Sequence, residues 1–244
     1  MPDRQRSVLV TGASRGIGAS VCNELVKQGH QVIGLSRTFN DNDSQIHADK
    51  SESGNFTGYS LDMEEISGIE PCIKHVIQDH TVDALVCCAG QGKFGSLVEF
   101  STHQIQQLVT VNLLSHLLLC RYLLPTLRTH SRSDIVFIGS ENAIQGGRYG
   151  AVYSATKAGL RGFAQALQHE CSAANCHIGI INPGMTRTSF FENLTFEPGD
   201  DASHAIDPQT VANCVLQLLT APDNSVINEI NLNPLKKVVK KKPV

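Results

Sequence analysis

Residues 7–18 read SVLVTGASRGIG, an apolar run that leads into a loop with three glycines. The β-branched, apolar start predicts a buried strand over Ser7–Thr11. The glycines allow the backbone to turn sharply and to approach a ligand closely. Because a helical pattern begins at Gly16, the loop ends on a helix N-terminus, which is suited to binding phosphate. This strand–loop–helix context favours a dinucleotide site over a tight turn without a ligand.

The rest of the chain alternates apolar runs with amphipathic segments of helical length. The apolar runs predict strands over Ser7–Thr11, Gln31–Leu35, Phe56–Ser60, Ala84–Cys88, Ile135–Gly139, His177–Ile181 and Val226–Leu232. The amphipathic segments predict helices over Gly16–Lys27, Met63–Asp79, Ser101–Leu127, Ala151–Ala173 and Pro208–Thr220. Several strands are apolar throughout, which is typical of parallel strands buried on both faces. The pattern predicts one α/β domain over residues 1–244, a Rossmann fold with a doubly wound parallel sheet of about seven strands and helices on both faces.

Three segments fall outside this alternation. Residues 188–207 follow the carboxyl end of a predicted strand, where α/β enzymes place a substrate lid; a plain surface insertion is the alternative. Residues 235–244 form a basic tail with five lysines. Such a composition favours a solvated, mobile tail, and an anchor for an acidic partner or nucleic acid is the alternative. The polar segment Asn40–Asn55 predicts a solvated connection.

The composition argues against several classes of protein. A formal net charge of −3 over 244 residues gives no basic footprint, so we expect no nucleic-acid partner. The N-terminus lacks the apolar stretch of a secretory signal, and there is no run of about 18 apolar residues, so we expect no membrane partner. The eight cysteines lie in predicted strands and helices without a C-x-x-C pair, which indicates reduced thiols in a cytoplasmic protein. The ten histidines show no ligand spacing, so we expect no metal.

Tyr153 and Lys157 are four residues apart in the predicted helix over Ala151–Ala173. This spacing places both side chains on one face, about one turn apart. A phenol normally titrates near ~10, and a neighbouring ammonium lowers that pKa toward neutrality. The pair therefore predicts a tuned general acid/base, although the same spacing also occurs on ordinary solvated helices.

The end of the second strand indicates which dinucleotide binds. An enzyme that prefers NAD(H) usually has an acid here for the ribose 2′-hydroxyl, whereas this chain has Ser36 and Arg37. The guanidinium groups of Arg37 and Arg15 suit a 2′-phosphate. The sequence thus predicts NADP(H) rather than NAD(H). Asp41 and Asp43 lie slightly too far along for the acid's role, unless the loop bends back.

Together these features resemble the short-chain dehydrogenase/reductase family, in its short single-domain branch. The motifs that carry the resemblance run in family order along nearly the whole chain. They are T-G-x-x-x-G-x-G at Thr11–Gly18, Asp62 after the third strand, Asn112 within LVTVNLL, Ser140 thirteen residues before Tyr153, and Pro183-Gly184 with Thr186 and Thr188. One departure is Cys87-Cys88-Ala89-Gly90, where the family has Asn-Asn-Ala-Gly. The missing amides put in doubt local hydrogen bonds that brace the sheet.

The resemblance implies hydride transfer between a nicotinamide cofactor and a small-molecule carbonyl or alcohol. It implies that Tyr153 is the general acid/base, and that Lys157 lowers the pKa of the phenol and holds the nicotinamide ribose. Ser140 would donate a hydrogen bond to the developing alkoxide, and Asn112 would position a water beside the lysine. The predicted cofactor-binding residues are Gly12, Ser14, Arg15, Gly16, Ile17, Gly18, Ser36, Arg37, Asp62, Met63, Ala89, Gly90, Asn112, Tyr153, Lys157, Pro183, Gly184, Thr186 and Thr188. It also implies a homodimer or homotetramer. A non-catalytic NADP(H)-binding redox sensor is the alternative function.

Overall fold

A parallel sheet of seven strands forms the centre of the computed structural model, which describes residues 5–39 and 55–242. The strands in this part of the chain are β1 Ser7–Thr11, β2 Gln31–Ser36, β3 Phe56–Ser60, β4 Ala84–Cys87, β5 Ser133–Ile138, β6 Cys176–Pro183, β7 Phe196–Pro198, β8 Glu229–Leu232 and β9 Val239–Lys241. The order in the main sheet is β3-β2-β1-β4-β5-β6-β8, and every pair is parallel. The seven-stranded, doubly wound sheet of the sequence prediction is confirmed.

Helices cover both faces of the sheet. They are α1 Gly16–Lys27, α2 Ile66–Asp79, α3 Thr102–Val109, α4 Ser115–Leu127, α5 Ala151–Cys171 and α6 Pro208–Leu219. One core cluster packs α1 and α6 against the sheet, and the other packs α2, α4 and α5 against the opposite face. The strands between them are buried on both sides, which explains their continuous apolar sequence.

Two predicted helices differ from the observed ones for local reasons. The helix predicted from Met63 begins at Ile66, because Asp62 Oδ1 accepts a hydrogen bond from Glu64 N (3.0 Å) and forms a turn first. The helix predicted over Ser101–Leu127 contains a π-helical turn, Thr110–Leu114, between α3 and α4. Such a turn inserts one extra residue into the helix and is common at functional sites.

This same helical run bears on the expectation that the protein has no membrane partner. Among the described residues, Thr102–Leu127 is long and apolar enough, with a mean hydropathy of 1.4, to pass for a membrane span by length and composition. In the fold, Leu119, Leu123 and Leu127 of this run are fully buried in the core beside the sheet. Its apolar character is therefore explained by packing against β4 and β5.

The amino ends of the central strands are held by buried charges. Arg6 Nε contacts Asp83 Oδ1 at 2.9 Å, and Arg6 Nη2 contacts Asp134 Oδ2 at 2.7 Å. These residues precede or begin β1, β4 and β5, so one guanidinium aligns three strands. Removing one partner would leave an uncompensated buried charge, which is strongly destabilising.

The basic tail is not a free extension in the described residues. β9 pairs antiparallel with β7, with Phe196 opposite Lys241, Glu197 opposite Lys240 and Pro198 opposite Val239. Residues 235–241 are exposed, as expected for a solvated tail, but backbone pairing attaches residues 236–242 to the segment predicted as a lid. The predicted connection over Asn40–Asn55 lies outside the described residues up to position 54.

Candidate active site

Four strands end side by side at the edge that carries the candidate site. β1 ends at Thr11, β4 at Cys87, β5 at Ile138 and β6 at Pro183. In the strand order, the direction of winding reverses between β1 and β4. Open α/β sheets bind their ligands at this switch point, outside the carboxyl ends of the strands.

The glycine loop after β1 forms a cradle that a side chain would fill. Gly12 has a φ of +65°, and a Cβ at this position would lie 2.9 Å from Ala89 Cα in the loop after β4. A Cβ at Gly18 would collide with the carbonyl oxygen of Gly12. Among the described residues, the side chain of the N-cap residue Arg15 makes no capping hydrogen bond to α1, and the first turn of α1 contains no acid. The amides of this turn are therefore suited to an anionic phosphate.

The glycine loop is joined to the end of β2. Ser36 Oγ donates to Ser14 Oγ at 2.7 Å, so the two segments that carry Arg15 and Arg37 are held together. Both arginine side chains are exposed to solvent. This arrangement fits the prediction of two cations near a 2′-phosphate.

The remaining predicted residues on this side differ in exposure. Asp62, two residues after the end of β3, is half-buried. Met63, the next residue, is buried in the core. Ile17 is half-buried and packs against the core under α1. Asp41 and Asp43, the alternative partners for a ribose hydroxyl, lie outside the described residues.

The loop after β4 is braced without the family's two asparagines. The backbone N–H groups of Cys88 and Ala89 both donate to Thr11 Oγ1 at 3.0 Å. His116 Nε2 donates to the Ala89 carbonyl at 2.9 Å, since a carbonyl can only accept. Burial lowers the pKa of His116 to about 4, so the imidazole is neutral at pH 7. Thr11, the first residue of the glycine motif, and His116, which sequence reasoning did not single out, therefore brace this loop.

The cysteines at the departure from the family motif are poorly suited to redox chemistry. Burial raises the pKa of Cys88 to about 12 and raises that of Cys87 well above its usual range. The thiolate, which is the reactive form, is therefore scarce at neutral pH. Within residues 5–39 and 55–242, no three His, Cys, Asp or Glu side chains are grouped so that they could hold a metal ion.

Asn112 lies in the π-helical turn and is fully buried. Its Oδ1 accepts from Gln91 N at 2.8 Å, and its Nδ2 donates to Gln91 O at 2.9 Å. The side-chain amide is thus occupied by the loop after β4. The resemblance assigns Asn112 to a water beside Lys157, whereas here its amide fixes the chain next to Gly90.

Ser140, Tyr153 and Lys157 come together below this loop. Ser140 follows β5, and its side chain hydrogen-bonds the Tyr153 phenol. Lys157 Nζ donates to the Ile138 carbonyl at 2.9 Å and lies 3.6 Å from the position of a Cβ on Gly90. Tyr153 is 7% exposed and Lys157 is 4% exposed. The sequence-predicted acid/base group is therefore assembled and shielded from water.

The electrostatics of this pair differ from the sequence expectation. Burial raises the pKa of Tyr153 to about 12; the hydrogen bond from Ser140 lowers it and the charge of Glu141 raises it. Burial also lowers the pKa of Lys157 to about 8. The expectation that the ammonium makes the phenol acidic is wrong for this state, because Lys157 is directed to the Ile138 carbonyl and desolvation dominates both groups.

The residues after β6 lead from the sheet onto the glycine loop. Thr186 forms a bridge with Ile206, and its Oγ1 donates to the Gly184 carbonyl at 3.1 Å. Thr188 packs on the glycine loop, since a Cβ at Gly16 would lie 3.4 Å from the Thr188 Cβ. Gly184 and Pro183 thus lie at the carboxyl edge of the sheet, together with the other predicted cofactor residues.

Sequence reasoning missed the aromatic surroundings of Tyr153. Phe94, from the loop after β4, has its ring centroid 5.2 Å from that of Tyr153, and Phe190 lies at 6.0 Å. It also gave no sign of the partner of Glu141, which directly follows Ser140 and contacts Lys237 Nζ at 2.8 Å. Spacing along the chain carries no signal for these contacts, because the partners come from distant segments.

Comparisons with known proteins agree with this geometry. Carbonyl reductase family member 4 of Danio rerio is 30% identical over 224 residues, which cover 89% of this chain and 92% of that protein. A metagenomic short-chain oxidoreductase solved in complex with NADP is 27% identical, with a TM-score of 0.80 and coverage of 94% and 96%. An alcohol dehydrogenase of Thermococcus sibiricus, solved with 5-hydroxy-NADP, is 24% identical with a TM-score of 0.86 and coverage of 96% and 99%, a likeness of fold.

A family model for short chain dehydrogenases matches residues 6–198, from the residue before β1 to the end of β7. The match contains the glycine loop, the switch point and the Ser140, Tyr153 and Lys157 group. The chain therefore belongs to the short-chain dehydrogenase family of oxidoreductases.

Proposed function

We propose that this protein is an NADP(H)-dependent oxidoreductase that interconverts a carbonyl and an alcohol, with Tyr153 as the general acid/base. The observation that carries the proposal is the buried group of Ser140, Tyr153 and Lys157 at the edge of the glycine cradle. The similarity to a carbonyl reductase of Danio rerio supports this chemistry.

Each residue of the group has one task in carbonyl reduction. When bound, NADP(H) supplies or accepts the hydride at the substrate carbon and, when oxidised, adds a positive charge beside the phenol. Tyr153 gives its proton to the carbonyl oxygen in reduction and takes it back in oxidation. Ser140 donates a hydrogen bond to the oxygen as negative charge develops on it. Lys157, protonated below a pH of about 8, compensates the phenolate that the proton transfer leaves.

The glycine cradle and the two exposed arginines fit NADP(H). The first turn of α1, which contains no acid, suits the pyrophosphate, and Arg15 and Arg37 suit the 2′-phosphate. NADP bound to the metagenomic relative supports the same choice. Residues 188–207 are proposed to be the substrate lid.

Tyr153→Phe should remove the proton donor while leaving the cofactor site intact. We expect carbonyl-dependent oxidation of NADPH to fall about a hundredfold or more, because general acid catalysis is lost. The measurement is steady-state absorbance of NADPH together with a fluorescence titration of its binding. Tyr149→Phe, at an exposed tyrosine, is the control. Unchanged turnover in Tyr153→Phe would show that the proton comes from another group, whereas NADPH binding without any carbonyl-dependent turnover in the wild type would favour the redox-sensor alternative.

Arg37→Ala should weaken NADPH binding selectively. Loss of one charged hydrogen-bond partner of a phosphate is expected to raise the Kd for NADPH by about 10- to 100-fold and to change that for NADH little. Fluorescence titration of both cofactors measures the effect. Arg128→Ala, at an exposed arginine beyond the end of α4, is the matched control. Equal affinity for both cofactors, unaffected by Arg37→Ala, would argue for NAD(H).

Lys157 should make the stability of the protein rise with pH. Its pKa is about 8 in the fold, against an ordinary 10.5, so the unfolded chain binds more protons between these values and unfolding becomes less favourable as pH rises. From about pH 7 to about pH 10, the free energy of unfolding of the wild type should gain on the order of 2 kcal/mol relative to Lys157→Met. Urea unfolding at both pH values measures this. Lys27→Met, at an exposed lysine, is the control: it keeps Lys157, so the wild type should gain no such free energy relative to this variant.

We also propose a homodimer or homotetramer formed through α4 and α5. Ala155, Ala158 and Gly162 form an exposed stripe of small residues on α5 that another helix can approach closely. Light scattering should give two or four times 26.4 kDa. Gly162→Arg should give a monomer, because the long side chain would keep another helix away. The fold itself should tolerate the change, since none of the described residues outside α5 has an atom within 4 Å of a Cβ at that position. A wild-type monomer at micromolar concentration would contradict the proposal.

A further inference from the structure

Five aromatic rings form a closed cycle over the candidate active site. The ring-to-ring distances are 5.2 Å for Phe94–Tyr153, 6.0 Å for Tyr153–Phe190, 5.3 Å for Phe190–Phe191, 5.9 Å for Phe191–Phe196 and 5.1 Å for Phe196–Phe94. Three of these rings come from residues 188–207, one from the loop after β4 and one is the proposed acid/base. We call Phe94, Phe190, Phe191 and Phe196 the aromatic wall.

Phe190 fills the space directly above the loop after β4. A Cβ at Gly92 would collide with the Phe190 ring, so the ring lies flat against the backbone there. With the wall in place, Tyr153 is only 7% exposed. A substrate that reaches the phenol therefore contacts or displaces part of the wall. The group that replaces a phenyl ring at least cost is another apolar, preferably flat, group, because it restores the lost contacts.

The charges around the wall disfavour an anionic substrate. Glu141 is the charged neighbour that raises the pKa of the Tyr153 phenol. Several cations on the adjoining elements already bind oxygen atoms of the protein. Lys157 binds the Ile138 carbonyl, Arg187 binds the Gly199 and Asp201 carbonyls, and Lys242 binds the Phe191 and Glu192 carbonyls. A carboxylate brought against the wall would lose its hydration without gaining one of these partners.

We infer that the substrate is a neutral, apolar carbonyl compound or alcohol that carries a ring, and that Phe94 and Phe190 select it. This inference rests on the proposed function and names the substrate class of the same site. The aromatic wall provides ring-to-ring contacts beside the proton donor, whereas the Glu141 carboxylate, already paired with Lys237, offers an acid no cation.

The C-terminal strand holds the wall in position. Gly199 N donates to Val238 O at 3.1 Å, and Lys242 N donates to Thr195 O at 2.9 Å. These two hydrogen-bonded pairs flank the β7–β9 ladder. Because hydrogen-bonded and non-hydrogen-bonded pairs alternate, Glu197 and Lys240 form the hydrogen-bonded pair between them.

Pro198, which has no N–H, accordingly faces Val239 in a non-hydrogen-bonded pair, where no donor is needed. Lys236 N also donates to Ser203 O at 2.9 Å, and Lys240 contacts Asp200 at 2.8 Å. Residues 236–242 therefore fix the segment that carries Phe191 and Phe196.

Three related ketones test the substrate class with NADPH as reductant. Ethyl benzoylformate is neutral and carries a ring. Benzoylformate is the corresponding carboxylate anion without the ethyl group, and ethyl pyruvate is neutral without a ring. We expect kcat/KM for ethyl benzoylformate to exceed that for benzoylformate about a hundredfold and that for ethyl pyruvate about tenfold or more. Equal or faster turnover of benzoylformate would overturn the inference and leave the proposed function standing.

Variants assign the selection to the wall. Phe190→Leu should keep an apolar side chain but reduce the preference for ethyl benzoylformate over ethyl pyruvate several-fold, since ring contacts are lost. An unchanged preference in both Phe190→Leu and Phe94→Leu would overturn the role of the wall. If none of the three ketones is reduced, this substrate class is wrong. The Tyr153→Phe comparison on other carbonyl compounds then decides separately whether the proposed function also fails.

Hydrogen exchange tests the C-terminal strand without requiring turnover. Lys240→Pro removes an N–H from the ladder, whereas Val239→Pro, its matched control, changes a residue whose N–H points away from β7. We expect amide exchange over residues 190–199 to be faster in Lys240→Pro than in the wild type and in Val239→Pro. In a separate turnover measurement, Lys240→Pro should also show a weaker preference for the ring-bearing ketone. Identical exchange in all three proteins would show that β9 does not hold the wall.

Discussion

The direct contact between the loops after β1 and β4 is the constraint on which the site depends. Gly12 faces Ala89 so closely that a Cβ would lie 2.9 Å from its Cα, and Thr11 Oγ1 accepts two amides of the same loop. Any side chain at position 12 would push apart the glycine loop after β1 and the loop that carries Gly90 and Gly92. The cofactor cradle, the Lys157 environment and the floor beneath Phe190 thus share one backbone contact.

Burial, rather than the Tyr153–Lys157 spacing, controls the electrostatics of the site. Both side chains are desolvated, which favours the neutral phenol and the neutral amine and moves their pKa values toward about 12 and about 8. An isolated charge would be costly here, but a phenolate and an ammonium formed together would compensate each other. The protein alone therefore holds the phenol as an acid, and added positive charge in the crevice favours its ionisation. This coupling links proton transfer to occupancy of the site.

The sequence predicted what depends on local pattern and order. The continuous apolar runs correspond to the buried strands, and the glycine loop lies at the switch point because strand, loop and helix are adjacent in the chain. It did not predict the role of Thr11, whose partners are 77 and 78 residues away, or the aromatic wall. The lysines of the tail suggested solvation, since composition gives no sign that Asp200 and Glu197 face Lys240. Contacts made by folding are absent from any single window of sequence.

The attachment of the tail to residues 195–203, within the proposed lid, has the character of a contact that can open. Lys240 and Asp200 are 47% and 81% exposed, so their ion pair is screened by water and contributes little to holding the strands together. The two-stranded β7–β9 sheet shares no pairing with the seven-stranded sheet, and its residues are mostly exposed or half-buried. Isolated two-stranded pairs are only marginally stable in water. Opening β7–β9 therefore leaves the strands of the main sheet paired while it frees the aromatic wall, so the chain can uncover Tyr153 without loosening the residues that surround it.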